Sequence, residues 1–220
     1  MLSNSKLNQI ARTLFLALAL PTLVFAASSF LVKKEKELKI GKKVPAMDIQ
    51  MNAIDDNSYS LSDFKGENGT MVVFSCNTCP FVVGNDNFDG WEKQYNDLYE
   101  KAQEANIGFV LVNSNAAKHE GVDAMDKMKE RAEAQEYKMN YLMDVDSKVA
   151  DAFGAKTTPH LYVLDADGKL VMRGSIDNSL DSDREELETY ALDAINFLTN
   201  GIKLPNTTPA PRGCSIKRNK

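Results

Sequence analysis

The chain has 220 residues, enough for one ordinary domain with a full hydrophobic core and additional end segments. Residues 44–205 hold 14 Lys and Arg against 29 Asp and Glu, a net charge of −15, whereas residues 33–43 and the tail from Arg212 are basic. An acidic body of this kind argues against nucleic acid as the main partner. Three cysteines are too few for a scaffold built from disulfides.

Residues 1–26 are predicted to be an export signal. Lys6 and Arg12 supply positive charge, residues 14–25 are mainly apolar, and a small-residue cleavage site follows with Ala26. The alternative is an uncleaved membrane anchor, because residues 13–32 carry no charge and are just long enough to span a bilayer. Both interpretations place the domain in an extracytoplasmic compartment such as the periplasm, where disulfides persist. The membrane is a partner only if this segment is retained.

The folded part begins with a pattern typical of a β-hairpin, since apolar residues alternate on both sides of a turn at 55–57. An apolar, β-branched run at 71–74 predicts a buried strand that leads directly into Cys76-Asn77-Thr78-Cys79. Beyond it, apolar residues at helical spacing predict a long helix with an inward face formed by Phe88, Trp91, Tyr95, Leu98, Ala102 and Ala105.

The remaining predicted elements, in chain order, are a strand at 107–112, a helix at 121–136, a strand at 141–143, a helix capped by Ser147 and ended by Gly154, a hairpin at 160–172 and a closing helix at 181–200. The inward face of the closing helix is predicted to carry Leu187, Tyr190, Ala191, Ala194 and Leu198.

This order predicts an α/β fold in which helices flank a central mixed β-sheet, with an N-terminal β-hairpin extension. The folded domain is placed at 44–203. A charged linker at 27–43 precedes it, and an irregular tail at 204–220 follows it.

The segment from Cys76 to Cys79 is the predicted reactive centre. Pro80 follows it at the first position of a predicted helix, where a missing N–H is tolerated. Free N–H groups and the helix dipole at that position favour a thiolate over a thiol. A purely structural disulfide is a weaker hypothesis, because closing so short a loop stabilises a fold by only about 2 kcal/mol. A structural zinc site needs four ligands, and the sequence has no second cysteine pair to complete one.

A Cys-x-x-Cys motif at the first strand-to-helix junction, with Thr158-Pro159 before the last hairpin, resembles the thioredoxin-like superfamily over roughly residues 44–201. Within it the chain resembles the exported, peroxiredoxin-like (redoxin, AhpC/TSA-like) branch. The ending Gly213-Cys214-Ser215-Ile216-Lys217 is similar to the C-terminus of that branch.

The resemblance implies a role for each residue of the motif. Cys76 would attack, Cys79 would resolve the mixed disulfide, and a cis Pro159 would pack against the sulfurs. The backbone of Thr158 would pair with the substrate chain, so Thr158 is predicted to bind substrate together with two residues that follow the cysteines, Pro80 and Phe81.

The chain also departs from the superfamily pattern. Thr70 stands where thioredoxins carry a buried acid, so proton transfer needs water or another group. Peroxiredoxins need a Thr or Ser three residues before the attacking cysteine and an Arg from the later part of the sheet. With Cys79 attacking, Cys76 takes the Thr position, and Arg173 is the candidate Arg. The sequence therefore favours thiol–disulfide exchange over peroxide reduction, which stays an alternative.

A copper-binding chaperone of the same fold is a second alternative, in which His160 would join the two thiolates, because soft sulfur and imidazole ligands suit copper. Such proteins usually have three residues between the cysteines, whereas this chain has two. Cys214 is either a third redox cysteine that reaches the centre on a mobile tail or an inert residue, and the sequence leaves both open.

Taken together, the motifs predict a thiol–disulfide oxidoreductase without cofactor or metal. Its expected partners are a protein or small-thiol substrate and an upstream redox protein. The direction of exchange depends on the reduction potential, which the sequence leaves open.

Overall fold

The computed structural model describes residues 36–219, so the predicted leader and much of the linker lie outside the described residues. The strands are β1 (Met51–Ala53), β2 (Ser58–Tyr59), β3 (Gly69–Ser75), β4 (Ile107–Asn113), β5 (Tyr141–Met143), β6 (Thr157–Thr158), β7 (His160–Asp165), β8 (Leu170–Gly174) and β9 (Cys214–Ser215). The α-helices are α1 (Pro80–Val83), α2 (Tyr95–Glu104), α3 (Met125–Ala134), α4 (Lys148–Phe153) and α5 (Tyr190–Asn200). Within the described range, no helix is long and apolar enough to cross a membrane.

A seven-stranded mixed sheet, with the order β2-β1-β5-β4-β3-β7-β8, forms the centre of the fold. β3 runs parallel to β4 and antiparallel to β7, and β4 runs parallel to β5. β1 and β2 form the N-terminal hairpin at one edge. This arrangement confirms the predicted α/β fold with a mixed sheet. β6 and β9 pair separately as a small two-stranded sheet.

Both faces of β3 are buried, which explains its nearly continuous apolar sequence. Met71 and Val73 point to the face that also packs α2, α3 and α5, and both cysteines of the motif belong to this layer. Val72 and Phe74 point to the opposite face, where α4 packs. We call these layers the cysteine face and the α4 face.

The parallel strands β3, β4 and β5 all end at the same edge of the sheet, and the antiparallel β7 begins there. Such an edge is where ligands bind in open α/β sheets. It brings together Cys76, the polar residues that follow β4, and the segment 157–159 before β7. The edge thereby positions the candidate site.

The closing helix is shorter than predicted, because it begins at Tyr190 rather than at residue 181. Leu187, predicted to face inward, is 60% exposed. The preceding loop is held by Asn178, whose side chain donates to the carbonyl of Glu186 (3.0 Å) and accepts from the N–H of Glu188 (2.9 Å). These tertiary hydrogen bonds replace the helical ones, so the prediction for Leu187 was wrong.

Ser147 does not cap α4 with its side chain, contrary to prediction; its hydroxyl donates to the carbonyl of Ser114 at 2.6 Å. The carboxylate of Asp144 accepts from the backbone N–H groups of Val149 and Ala150, each at 2.9 Å. Asp144 therefore satisfies the first turn of α4 from three residues further upstream.

The long helix predicted after the cysteines is divided in two. α1 ends at Gly84, and regular α-helix resumes only at Tyr95, after a 3₁₀ turn at Trp91–Gln94. Gly90 packs against this break so closely that a Cβ there would lie 2.0 Å from the carbonyl oxygen of Val82. Trp91 is buried as expected, and its indole N–H donates to Asp177 at 2.5 Å.

The tail predicted as irregular, residues 204–220, contains one short strand, β9, within its described part. The linker also contacts the domain, since the N–H of Leu38 donates to Phe153 O and that of Gly41 donates to Leu170 O. Both end segments thus pack on the domain.

Candidate functional site

Cys76 and Cys79 lie at the carboxyl end of β3 as free thiols, and they are only 2% and 3% exposed. Thr158 contacts both sulfurs. Its hydroxyl oxygen lies 3.1 Å from the sulfur of Cys76, and its carbonyl oxygen lies 3.0 Å from the sulfur of Cys79. The Thr158–Pro159 peptide bond is cis, as the resemblance implies. The structure thus brings together the three residues predicted to be catalytic.

A third cysteine lies at the same place. β9 pairs antiparallel with β6 so that Thr158 lies opposite Cys214. The backbone N–H of Cys214 donates to the sulfur of Cys79 at 3.3 Å. Cys214 is partly exposed, whereas the other two cysteines are buried. The tail therefore carries its cysteine to the centre of the site.

The three thiols have different acidities. The pKa of Cys79 is lowered to about 5, because the thiols of Cys76 and Cys214 and the N–H groups of Cys214 and Phe81 hydrogen-bond to its sulfur and outweigh burial. The pKa of Cys76 is raised, because it gives its hydrogen bond to Cys79 and is buried. Burial and the neighbouring Cys79 raise the pKa of Cys214 to about 11.

The thiolate at Cys79 owes little to a helix dipole. α1 has only four residues, and the N–H groups of Val82 and Val83 donate to the backbone carbonyl of Cys79, at 2.8 and 2.9 Å. The nearby carbonyl of Thr158 favours the protonated sulfur instead. Direct hydrogen bonds from neighbouring thiols and N–H groups are therefore the main stabilising contacts, a cause different from the one that the sequence suggested.

A buried polar cluster supports the cysteine loop from below. Asp123 accepts hydrogen bonds from the N–H of Asn77 (2.8 Å) and from the side-chain amides of Asn113 (2.9 Å) and Asn115 (3.0 Å). All four residues are buried, and we call them the Asp123 cluster. Sequence reasoning missed this cluster. The available signal was the run Asn113-Ser114-Asn115 at the end of β4, at the edge of the sheet where the cysteines lie.

Two tyrosines complete the buried surroundings. The hydroxyl of Tyr95 lies 3.1 Å from that of Ser75, and Tyr141 donates to the side-chain oxygen of Asn77 at 3.2 Å. Burial raises the pKa of both tyrosines, so they stay neutral donors at physiological pH.

The remaining predicted substrate-binding residues lie at the surface beside the site. Pro80 is exposed, and Phe81 is half-buried with its ring centroid 5.7 Å from that of Phe88. These residues form a small apolar rim next to the sulfurs.

His160 and Arg173, the residues on which the alternatives depend, have other surroundings. His160 lies on β7 with its ring 4.6 Å from that of Tyr162, a member of the α4 face. Arg173 contacts Glu37 at 3.2 Å and the carbonyl of Leu38 at 3.2 Å. Among residues 36–219, no group of three or more His, Cys, Asp or Glu could hold a metal ion. The structure therefore does not support the copper site of the alternative interpretation.

Comparisons with known proteins agree with this picture. The family model described as the AhpC/TSA family matches residues 40–173. No curated protein matches the chain. The crystal structure of an uncharacterized conserved protein from Geobacillus kaustophilus is 31% identical, with a TM-score of 0.73, and the match covers 84% of this chain and 94% of that chain.

Two more distant structures are similar in fold alone. Peroxidoxin BcpB from Mycobacterium tuberculosis is 18% identical with a TM-score of 0.54, over 76% of this chain and 99% of that chain. The thioredoxin domain of a thiol-disulfide oxidoreductase from Bacteroides vulgatus is 19% identical with a TM-score of 0.52, and the match covers 74% of this chain and 100% of that chain. The family model covers more than half of the chain, so this chain belongs to the AhpC/TSA family and has a thioredoxin-like fold.

Proposed function

We propose that the protein is a thiol–disulfide oxidoreductase in which Cys76 and Cys79 are the exchanging pair. The observation that carries this proposal is the contact of both sulfurs with Thr158, together with a pKa of Cys79 lowered to about 5. A perturbed thiol pKa at the ligand-binding edge of a sheet is typical of a reactive centre.

In the proposed reaction, one cysteine thiolate attacks a substrate disulfide. A bond forms between the two sulfurs, the substrate disulfide breaks, and half of the substrate leaves as a thiolate that takes up a proton. The second cysteine then loses its proton and attacks the first, which forms the Cys76–Cys79 disulfide and releases the other half of the substrate. Two electrons pass from the cysteine pair to the substrate, and the reverse reaction oxidises a dithiol.

The order of attack stays a prediction. The resemblance assigns the first attack to Cys76. In the reduced protein, however, hydrogen bonding lowers the pKa of Cys79 and raises the pKa of Cys76, which favours Cys79 as the thiolate. Trapping decides between them, because the mixed disulfide accumulates only in the variant that keeps the attacking cysteine and lacks the resolving one.

The proposal is tested by reduction of insulin and of glutathione disulfide with the full chain and dithiothreitol. We expect Cys76→Ser and Cys79→Ser each to lower the turnover rate by about a hundredfold or more. Asp86→Asn is the matched control, because Asp86 is exposed in the loop that follows α1. Undiminished turnover in either serine variant, with the far-UV spectrum unchanged, would overturn the proposal.

A second candidate function is thiol-dependent peroxide reduction, which membership in the AhpC/TSA family favours. The candidate Arg173 contacts Glu37 and not the cysteines, so this function lacks the expected cation at the sulfur. Hydrogen peroxide consumption with dithiothreitol tests it. A rate above that of Cys79→Ser would support the peroxidase, and equal rates would exclude it.

The export signal predicted at residues 1–26 supports an extracytoplasmic location for this exchange, where a protein or small-thiol substrate and an upstream redox partner would meet the site. Mass spectrometry of the protein from cell fractions tests both the location and the cleavage after Ala26. Recovery of the full-length chain from the cytosol would contradict it.

A further inference from the structure

The edge that the resemblance assigns to the substrate chain is occupied by the protein itself. Thr158 lies opposite Cys214 in the β6–β9 pair, and Thr157 lies opposite Ser215. The fit is close at Gly213, where a Cβ would lie 2.3 Å from the carbonyl oxygen of Thr158. A bulkier residue could not take this position without moving the backbone. The tail thus pairs closely with Thr158, at the place where the resemblance puts a substrate strand.

The tail is held on both sides of its cysteine. Before it, the N–H of Arg212 donates to the hydroxyl of Ser175 at 3.2 Å. After it, Ile216 is buried and donates to Lys156 O at 2.9 Å, and the N–H of Lys217 donates to Asn115 at 2.8 Å. We call residues 212–217 the C-terminal segment. These contacts give Cys214 a defined place, so it is not carried on a loose end.

The three cysteines differ in their exposure to solvent. Cys76 and Cys79 are almost fully buried, and Cys214 is partly exposed. Cys79 is the middle member, since it hydrogen-bonds with Cys76 on one side and with the N–H and thiol of Cys214 on the other. While the C-terminal segment is docked, an external thiol can reach the buried pair most directly through Cys214.

We propose that Cys214 is the third thiol of a relay, which takes over the disulfide of the buried pair and presents it to an external dithiol. This inference rests on the proposed function and deepens it. The thiolate of Cys214 attacks the sulfur of Cys79 in the Cys76–Cys79 disulfide. The Cys79–Cys214 bond forms, the Cys76–Cys79 bond breaks, and Cys76 leaves as a thiolate that takes the proton lost by Cys214. No electrons enter or leave in this step.

The next step needs a reductant. Because Cys214 is partly exposed, a dithiol from solution, either a protein or a small molecule, can reach its sulfur. A thiolate of this partner attacks Cys214, so that a mixed disulfide forms and Cys79 leaves as a thiolate. The second thiol of the partner then attacks the first, which releases Cys214 with a proton. The partner loses two electrons, and the cysteine pair regains them. The low pKa of Cys79 makes it a good leaving group.

Disulfide mapping in single variants tests the order of the sulfurs without any activity measurement. The reduced full chain is oxidised with one equivalent of diamide, alkylated under denaturing conditions and analysed by mass spectrometry. We expect Cys76→Ser to form an intramolecular Cys79–Cys214 disulfide in most molecules. Cys79→Ser should form at least about tenfold less Cys76–Cys214 disulfide, because its middle sulfur is missing. Intermolecular dimers alone in Cys76→Ser would overturn the relay.

A matched pair of tail variants distinguishes a relay from a tail that only covers the cysteine pair. Cys214→Ser keeps the docked strand and removes the sulfur, whereas Gly213→Val keeps the sulfur and disturbs the docking. Gly121→Val is the control, because a Cβ at Gly121 would meet only Lys118 O, at 3.8 Å. There are two readouts. One is the rate at which dithiothreitol reduces the oxidised protein, and the other is the rate at which iodoacetamide alkylates Cys79 in the reduced protein.

For the relay, Cys214→Ser should slow reduction by about tenfold or more while alkylation of Cys79 stays slow. Gly213→Val should speed alkylation. If dithiothreitol reduces oxidised Cys214→Ser as fast as it reduces the oxidised wild type, the tail only covers the pair and the relay is wrong. Failure of the proposed function looks different: wild type would not turn over insulin, whereas the Cys79–Cys214 disulfide in Cys76→Ser would still form.

Discussion

Two regions of the molecule hold the cysteine pair, and they do so by different means. The Asp123 cluster holds the loop through a buried carboxylate, which accepts three N–H hydrogen bonds. The C-terminal segment meets the pair through a two-residue strand whose members are half-buried or exposed, and one buried side chain, Ile216, follows that strand.

This difference has a physical consequence. Breaking the Asp123 cluster leaves several polar groups without partners in the interior, whereas hydrogen bonds at a solvent-accessible edge can be exchanged for bonds with water. The cluster is therefore the costlier of the two regions to disrupt, and the C-terminal segment is the less costly one. Asn115 joins the two regions, since it donates to Asp123 and accepts from Lys217.

The largest effect is expected for Asp123→Ala, which removes the acceptor of three buried donors. The free energy of unfolding should fall by about 2–4 kcal/mol, because Asn77, Asn113 and Asn115 would keep unsatisfied N–H groups. Urea denaturation of the reduced protein measures this change. Asp86→Ala is the exposed control and should stay within about 0.5 kcal/mol of wild type. A similar small loss in Asp123→Ala would show that the cluster does not support the loop.

Asn115→Ala should have a smaller effect that reaches both regions. We expect a loss of about 1–2 kcal/mol in the free energy of unfolding, because one donor to Asp123 and one acceptor of Lys217 disappear. The same variant should also increase hydrogen exchange of the N–H groups in the C-terminal segment. If stability falls while exchange in the C-terminal segment stays unchanged, the two regions are less closely joined than the hydrogen bonds indicate.

The lowered pKa of Cys79 predicts a pH dependence that the C-terminal segment controls. Thiolate absorbance at 240 nm of the reduced protein should rise with a midpoint at about pH 5, far below the ordinary value of 9.0. Cys79→Ser should abolish this step. Gly213→Val should move the midpoint upward, because it loosens the N–H of Cys214 that stabilises the thiolate. An unchanged midpoint in Gly213→Val would show that the tail does not tune Cys79.

The lowered pKa of Cys79 also makes the free energy of unfolding depend on pH. A folded-state pKa below the unfolded one contributes stability that is complete above pH 9 and is lost as the pH falls through about 5. Cys79→Ser should therefore lose less stability than wild type between pH 9 and pH 5, measured by urea denaturation at each pH. The raised pKa of Cys76 acts in the opposite direction, above pH 9.

The smallest effect is expected for Leu187→Ser, in the loop before α5 and outside both regions. Because Leu187 is 60% exposed, the free energy of unfolding should change by no more than about 0.5 kcal/mol. A helix that began at residue 181 would bury this side chain and cost far more. Leu198→Ser on α5, which packs against the cysteine face, is the positive control.

The errors of the sequence prediction have a common cause. Leu187 fits a helical stripe, but Asn178 hydrogen-bonds the loop that contains it. Ser147 is a favoured cap residue, but Asp144 reaches the same N–H groups from the end of β5. In each case a contact that the spacing of residues does not encode competed with a local preference and prevailed.

The sequence by itself determined the order of strands and helices, the position of Cys76 and Cys79 after a buried strand, and the family resemblance. These properties depend on the alternation of apolar residues and on short motifs, which are local. The tertiary structure alone decided that the tail cysteine Cys214 meets the sulfur of Cys79 and that the hydroxyl of Thr158 meets the sulfur of Cys76. It also brought the carboxylate of Asp123 to the backbone N–H of Asn77, between the two cysteines. It also placed His160 on the α4 face. These contacts join residues far apart in the chain, and only the pairing of strands and the packing of the tail bring them together.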